Sequence, residues 1–505
     1  MANTPYSIGY VHEADIPVQY KLAEAFTVGD MYYESIISST APNRVSWFSG
    51  TINPPKGSKV NGTNKYMGGP TLDNRDSVGC ERTDSGKPFS CVPLRWKTVP
   101  EYLQEAGISW RVYQDKDNFG DDPLVMWKQY QTSAKKKGDL AQRGTSFPGL
   151  QKFFDDARDG KLPEVSYIVA PMQLSEHPPY MPMDGAWLQG EVAKAVMHGK
   201  NWDSTALIYS YDETGGWADH VVSPYPPQSE ESEWIEDPYD KSNGITPIGP
   251  GFRLPFYIVS PWTSGGHVFT EHAAHESQIM FLEQWALAHG KPFTSEEIPT
   301  WRREQLSDLV KAFDFSSKDT SVPEVPHVRK PSQDIFTGHF NGADVCQAIH
   351  LKKVQPDIPY KKLNPSNSME VNKGFKRLRG DVTEGRRLTF EAHNRALSHS
   401  GSKLKSSSSS KEHDQKDQLF VVHWQGVNPK DNRFRIATTD QLYVTKSLSL
   451  SKNEEKAALF SLKDMGNGVG YSISELDSGK RLQLNEDGSV ALGGDTYFQI
   501  YSVTL

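Results

Sequence analysis

Three things are missing or scarce in this sequence, and each absence removes a class of protein. No stretch approaches the ~20 consecutive apolar residues that a membrane-spanning helix needs. Basic charge is not in excess: Lys and Arg total 55 against 63 Asp and Glu, a formal charge of −8. That balance excludes a nucleic-acid protein with a broad basic face, yet a small cluster of donors can still hold an anionic ligand. Cysteine is limited to Cys80, Cys91 and Cys346. The first two bracket a polar, glycine-containing loop and suit a short disulfide, leaving Cys346 over; three free thiols in a reducing compartment is the alternative. The start, Met1-Ala2-Asn3-Thr4-Pro5, carries neither the basic region nor the apolar region of a secretory signal, which points to a cytosolic protein or a chain whose start is missing. Asn61-Gly62-Thr63 fits a glycosylation acceptor.

What is present is a long chain of globular composition. Its 505 residues exceed one hydrophobic core, so a large domain with smaller additions is expected. Residues 1–330 alternate between strands and helices. The apolar runs at 165–170, 206–211 and 255–260 suit strands buried on both faces. Helical patterns occupy 185–198 and 275–289, the latter with Ile279, Leu282 and Trp285 on one face. The expected class is α/β: a layered sandwich around a central, mostly parallel sheet. Residues 331–373 read as a linker or extension. From Gly374 to Leu505 short strands alternate with turn signals such as Asn485-Glu486-Asp487-Gly488, which reads as a small all-β domain. Within it, 398–417 holds the run Ser406 to Ser410 with Leu404 as its one large apolar residue, and is expected to be a disordered loop.

Two segments carry the chemistry. In Tyr211-Asp212-Glu213-Thr214-Gly215-Gly216-Trp217-Ala218-Asp219-His220 an apolar strand ends in paired carboxylates and a double glycine. Ligands of open α/β sheets bind beyond the carboxyl ends of the strands, and two oxygen ligands there suit a hard cation; an ordinary solvated turn uses the same residues. In Thr40-Ala41-Pro42-Asn43-Arg44, Pro42 suits the first turn of a helix and places Thr40 at or just before its cap. The N–H groups and dipole of that helix would face a phosphate, and the threonine hydroxyl would be placed to attack it. A plain helix cap is the alternative. His177, in Ser175-Glu176-His177-Pro178, and His275, opening a helix, both follow strand ends on the edge that carries Asp212 and Glu213. Each is a candidate to protonate a leaving oxygen; a structural histidine is the alternative.

These residues resemble the bacterial and fungal phospholipase C and acid phosphatase family of phosphoesterases, whose sheet is related to those of alkaline phosphatases and arylsulfatases. Thr40 to Arg44, Ser175 to Pro178, Tyr211 to His220 and His275 to Ser277 match its motifs in order. Glu13 to Pro17, Ala25 to Val28 and Gly249 to Pro255 look like its opening helix and the lead-in to a later strand. The resemblance covers roughly residues 8–315 and is closest to the fungal branch, which has a β-rich tail. It implies Thr40 as nucleophile, His177 and His275 as catalytic histidines, Asn43, Asp184 and His220 as phosphate-side contacts, and Asp212 and Glu213 as ligands of a divalent metal ion of unknown identity. The family's Glu-Asn pair after its first strand has no counterpart in this sequence, so that strand and half of the metal site are expected to be missing. Tyr33 stands where the family carries a further histidine.

The resemblance implies a phosphoric ester hydrolase, a secreted phospholipase C cleaving phosphatidylcholine-like lipids through a phosphothreonine and touching a membrane surface transiently. A choline group would favour aromatic walls, with Trp187, Trp217 and Tyr180 as candidates. The alternatives are an acid phosphatase of broader specificity and a catalytically impaired scaffold or binding protein. No nucleic-acid partner is expected, and no oligomeric state follows.

Overall fold

The computed structural model describes residues 9–54, 68–72, 79–82, 88–115, 120–217, 219–237, 240–351 and 373–505. The Asn61 sequon and residues 352–372 of the 331–373 extension lie outside these residues.

The strand–helix alternation is present. The apolar runs become strands Val165–Ile168, Leu207–Ser210 and Phe256–Val259, and the two helical patterns become helices Pro182–Met197 and His275–Ala288. Pro182 opens the first of these where its missing N–H costs nothing, and Asp184 lies in that turn against the positive helix end. Ahead of them come helix Pro17–Ala25, strand Thr27–Gly29 and helix Thr40–Ser49. The central strands run Leu207, Phe256, Thr27, Val268 across the sheet and mix directions. The Thr27 strand is parallel to Val268–Phe269 and antiparallel to the Phe256 strand, which in turn is antiparallel to the Leu207 strand. A separate parallel pair joins Trp110–Tyr113 to Val165–Ile168.

From Gly374 onward all the regular structure is strand apart from short 3-10 turns. This all-β region is hydrogen-bonded into the same sheet, because strand Gly374–Arg379 pairs in parallel with Val268–Phe269. Arg379 reinforces the junction by donating to the carbonyls of Trp262 and Ala312, both at 2.8 Å. An inner core of Leu388, Phe390, Phe420, Phe460 and Ile500, each fully buried, holds the region together.

The expectation of a disordered loop at 398–417 is corrected. Strands Arg395–Ser400 and Lys403–Ser408 form a six-pair antiparallel hairpin. Leu404 and Ser406 point inward and are buried, and His413 reaches back to Glu391 at 2.6 Å. Serine is small enough to alternate into a core, and backbone pairing supplies the hydrogen bonds that composition alone does not reveal. Cys80 and Cys91 form a disulfide across strands Gly79–Arg82 and Pro88–Val92, and Cys346 is free.

Candidate active site

The site grows from the first turn of the Thr40 helix. Ser39 holds the N-cap position without a side-chain cap bond, and Thr40 is its first residue, half-exposed. One turn on, on the same face, Arg44 donates from Nε to Asp212 Oδ2 at 2.8 Å and from Nη1 to the Asp121 carbonyl at 2.8 Å. The Leu207 strand delivers Asp212 to that arginine, so the helix start and the paired acids lie on one edge of the sheet. Burial pushes the Asp212 pKa up, but the Arg44 charge and hydrogen bond more than offset this and hold it below its ordinary value. Glu213 behaves oppositely: burial, then the charges of Asp212 and Glu34, push it up to about 7.

Glu34 is the member that sequence reasoning missed. It is buried, accepts from the backbone N–H of Phe252 and of Thr214, both at 3.1 Å, and is raised by burial to about 7. Gly251 lets it in, since a Cβ there would stand 2.1 Å from Glu34 Oε1. No local pattern marks Glu34; only the approach of the 212–214 and 250–252 segments gives it a role.

Of the histidines, His177 is brought to the acids. Its Nε2 lies 3.9 Å from Glu213 Oε1, and its Nδ1 lies 2.7 Å from the Pro178 carbonyl. Glu176 precedes it at φ +67°, a left-handed conformation that costs a non-glycine residue about 1–2 kcal/mol. That turn sends Glu176 inward and His177 outward.

Four further candidates are held in other contacts. Asn43 is fully buried, and its amide is used up on the preceding turn: Nδ2 donates to the carbonyls of Ile36, Ser38 and Ser39, and Oδ1 accepts from Ile36 N–H. His275 is buried with both ring nitrogens engaged, Nε2 donating to the Asp212 carbonyl at 2.8 Å and Nδ1 accepting from Tyr32 at 2.9 Å. Burial lowers its pKa, and its ring bonds the Asp212 carbonyl. Asp184 packs against Gly342, where an added Cβ would lie 2.1 Å from its Oδ2, and burial raises its pKa. His220 points to solvent beside Asp219, whose carboxylate is held at about pKa 2 by two 2.8 Å bonds from Arg253. Tyr33 is buried, stacked on His272. Among the aromatic candidates Trp187 packs against Phe340, Tyr180 lies with Asn341 and Asp344 in a separate pocket, and Trp217 is exposed near the acids.

The donor set does not fit a divalent ion as arranged. Asp212 Oδ2 holds Arg44 and Oδ1 accepts the Glu213 N–H at 3.0 Å. Among the described residues no three ligating side chains converge.

Behind the acids lies a charged core. Arg302 donates to Glu233 through Nε and Nη2 and to Glu276 and the Ser35 carbonyl through Nη1, at 2.8–3.0 Å, with all three side chains almost fully buried. Ser35 Oγ in turn donates to Glu276 at 2.7 Å and accepts the His275 N–H. The network ties the Glu34 segment to the start of the His275 helix.

Glu176 forms a second buried cluster. Tyr211 Oη donates to it at 2.7 Å and the amides of Gln189 and Gln19 at 2.8 and 3.3 Å. Burial raises its pKa from 4.5 to about 7 despite those donors. A raised carboxyl binds its proton more tightly when folded, so its stabilisation is complete below about pH 4.5 and is lost as pH rises through 7. Glu34 and Glu213 act in the same direction. Glu176→Gln is expected to flatten the fall in stability between those limits by up to about 3 kcal/mol. Denaturant titrations of both proteins at each pH measure it, and parallel pH curves would contradict the assignment.

Comparison with known proteins follows the same lines. The Phosphoesterase family matches residues 1–287. A "Non-hemolytic phospholipase C" of Burkholderia pseudomallei is 34% identical over 352 residues, covering 63% of this chain and 47% of that protein. One of the same description from Pseudomonas aeruginosa is 35% identical over 388 residues, covering 73% and 51%. "Phospholipase C B" of Mycobacterium tuberculosis is 32% identical over 341 residues, covering 65% and 60%. The chain thus spans about half the length of the curated relatives it matches.

Proposed function

Because the chain belongs to the phosphoesterase family, we propose that it is a phosphoric ester hydrolase of phospholipase C type, acting on phosphatidylcholine-like lipids. The observation that carries this reading is the Arg44–Asp212 bond, which puts the start of the Thr40 helix on the same edge as the paired acids. The names of the relatives supply the lipid substrate class.

In this reading the phosphoryl group sits at the start of the Thr40 helix, where free N–H groups and the helix dipole favour its charge. The Thr40 hydroxyl attacks phosphorus and gives its proton to Glu213, whose pKa near 7 suits a base at neutral pH. The P–O bond to diacylglycerol breaks, and His177 protonates the departing alkoxide. Water then cleaves the phosphothreonine and releases the phosphorylated head group. Arg44 and the helix end balance the charge on the transferring oxygens; no step is assigned to a metal. The protein would be secreted, a reading supported by the Cys80–Cys91 disulfide. Among the described residues no helix is long and apolar enough to cross a membrane.

Contact with a lipid surface is supported by exposed apolar side chains beside the acids. Trp217, Val222, Tyr225 and Phe252 are all exposed, and the segments bearing them are drawn together by Glu34 and by the Ser223 bond to the Pro250 carbonyl at 2.7 Å. Release of diacylglycerol from phosphatidylcholine vesicles, with p-nitrophenyl phosphate turned over much more slowly, is the expected result. Equal turnover of both would favour the broader phosphatase. Val222→Glu with Tyr225→Glu should cut vesicle turnover about tenfold or more, through roughly 0.8 kcal/mol per unburied methylene, and leave soluble p-nitrophenyl phosphorylcholine unchanged. A non-catalytic scaffold is the second reading, favoured by the engagement of Asn43 and His275 in structural bonds; absence of turnover on every phosphate ester would select it.

A further inference from the structure

We propose that Tyr211 and Glu176 are positioning residues whose hydrogen bond staples the loop carrying His177 to the segment carrying Asp212 and Glu213. Tyr211 immediately precedes Asp212, and Glu176 immediately precedes His177. Tyr211 Oη donates to Glu176 Oε2 at 2.7 Å, across 35 positions of sequence. One bond therefore anchors both flanks of the pair formed by His177 Nε2 and Glu213 Oε1, which lie 3.9 Å apart. Its catalytic consequence rests on the hydrolase reading; the staple itself stands on these distances.

The seat of Glu176 is built by three separate elements. Tyr211 follows the Leu207 strand. Gln189, on the helix Pro182–Met197, donates from Nε2 to Glu176 Oε1 at 2.8 Å and to Tyr211 Oη at 3.1 Å, and its own Oε1 accepts from Tyr257. Gln19, on the helix Pro17–Ala25, donates to the same Glu176 oxygen at 3.3 Å. Gly185 lies one turn before Gln189 on the same helix face and leaves room for the carboxylate. A Cβ there would stand 2.1 Å from Glu176 Cγ and 2.3 Å from its Oε1. Glycine inside a helix costs about 0.5–1 kcal/mol relative to alanine, so helix stability is given up where Glu176 enters. Glu176 also holds φ +67°, a backbone strain that persists only where the surroundings over-determine it.

The two sides are not equally held without the staple. Asp212 keeps the Arg44 bond to its carboxylate and the His275 bond to its carbonyl, each at 2.8 Å. His177 is exposed, and the bonds of its own backbone are local: its N–H donates to Ser175 Oγ at 3.3 Å, and its carbonyl accepts the Tyr180 N–H at 2.8 Å. Loss of the staple therefore loosens the histidine and spares the acids. A displaced general acid slows those reactions whose leaving group needs its proton. The alkoxide leaving a lipid needs it; p-nitrophenolate, a far weaker base, departs with little help.

The test uses the full chain carrying Tyr211→Phe or Gly185→Ala, each also combined with His177→Ala. Either single substitution should speed hydrogen exchange roughly tenfold or more at amides within 174–180 and leave 212–214 unchanged. Turnover of monomeric short-chain phosphatidylcholine should fall about 100-fold, the scale of a misplaced acid. Turnover of p-nitrophenyl phosphorylcholine should fall less than about threefold. Neither substitution should slow the lipid further once His177 is alanine. Unchanged exchange within 174–180 in both variants, equal losses on the two substrates, or an added loss in the His177→Ala background each overturns the proposal. A loosened loop in a chain that hydrolyses no phosphate ester even when unaltered supports the staple and refutes the hydrolase reading instead.

Discussion

Thr40→Ala should eliminate hydrolysis of p-nitrophenyl phosphorylcholine, with kcat falling on the order of 10⁴-fold or more, the scale of losing a covalent nucleophile. Thr40 is the first helical residue and the cap is Ser39. The substitution therefore removes the hydroxyl without removing a cap, and its cost in folding should stay below about 1 kcal/mol. Thr40→Ser, which keeps an oxygen in that position, should retain measurable turnover. The neighbouring hydroxyls provide the control. Ser38 is bonded to the Pro70 carbonyl, and Ser39 is exposed at the cap. Ser39→Ala should lower stability slightly and leave the chemistry in place. Steady-state kinetics on the three variants separates these outcomes, and full turnover by Thr40→Ala would remove the threonine from the mechanism.

The largest effect on stability is expected at Arg302. Arg302→Ala leaves Glu233 and Glu276 buried without their cation, a loss of about 3–5 kcal/mol. Burial already pushes the Glu233 pKa up even with the arginine present. It also removes the bond to the Ser35 carbonyl, which steadies the segment carrying Glu34. Unfolding midpoints in denaturant measure the loss. Replacing the three together, Arg302→Met with Glu233→Gln and Glu276→Gln, should recover much of it, because the cost lies in the stranded charges rather than in the missing bridge. A single Arg302→Ala protein as stable as the original would show that the network contributes nothing net.

The apolar runs at 165–170, 206–211 and 255–260 were legible because strands buried on both faces need unbroken apolar residues. The Asp212-Glu213 pair was legible because it follows such a strand. Glu34 was not: it gains its partners from residues about 180 and 218 positions away. Asn43 and His275 were visible as polar residues in suggestive places, but Asn43 is used by the backbone of the preceding turn and His275 by the Asp212 carbonyl and the Tyr32 hydroxyl. The hairpin of Arg395–Ser400 and Lys403–Ser408 escaped because its stability lies in cross-strand pairing and in the inward Leu404 and Ser406, neither of which changes the polar composition of the segment.

The chain's own order of residues determined the strand–helix alternation, the position of Thr40 at a helix start and the family, since each depends on neighbours in sequence or on short motifs. Tertiary structure alone decided which polar groups face open space and which are consumed in the interior. It also decided that the all-β region shares the central sheet. The reason is physical: propensity and periodicity act over a few residues, whereas burial and hydrogen-bond satisfaction depend on partners that folding brings in from hundreds of residues away.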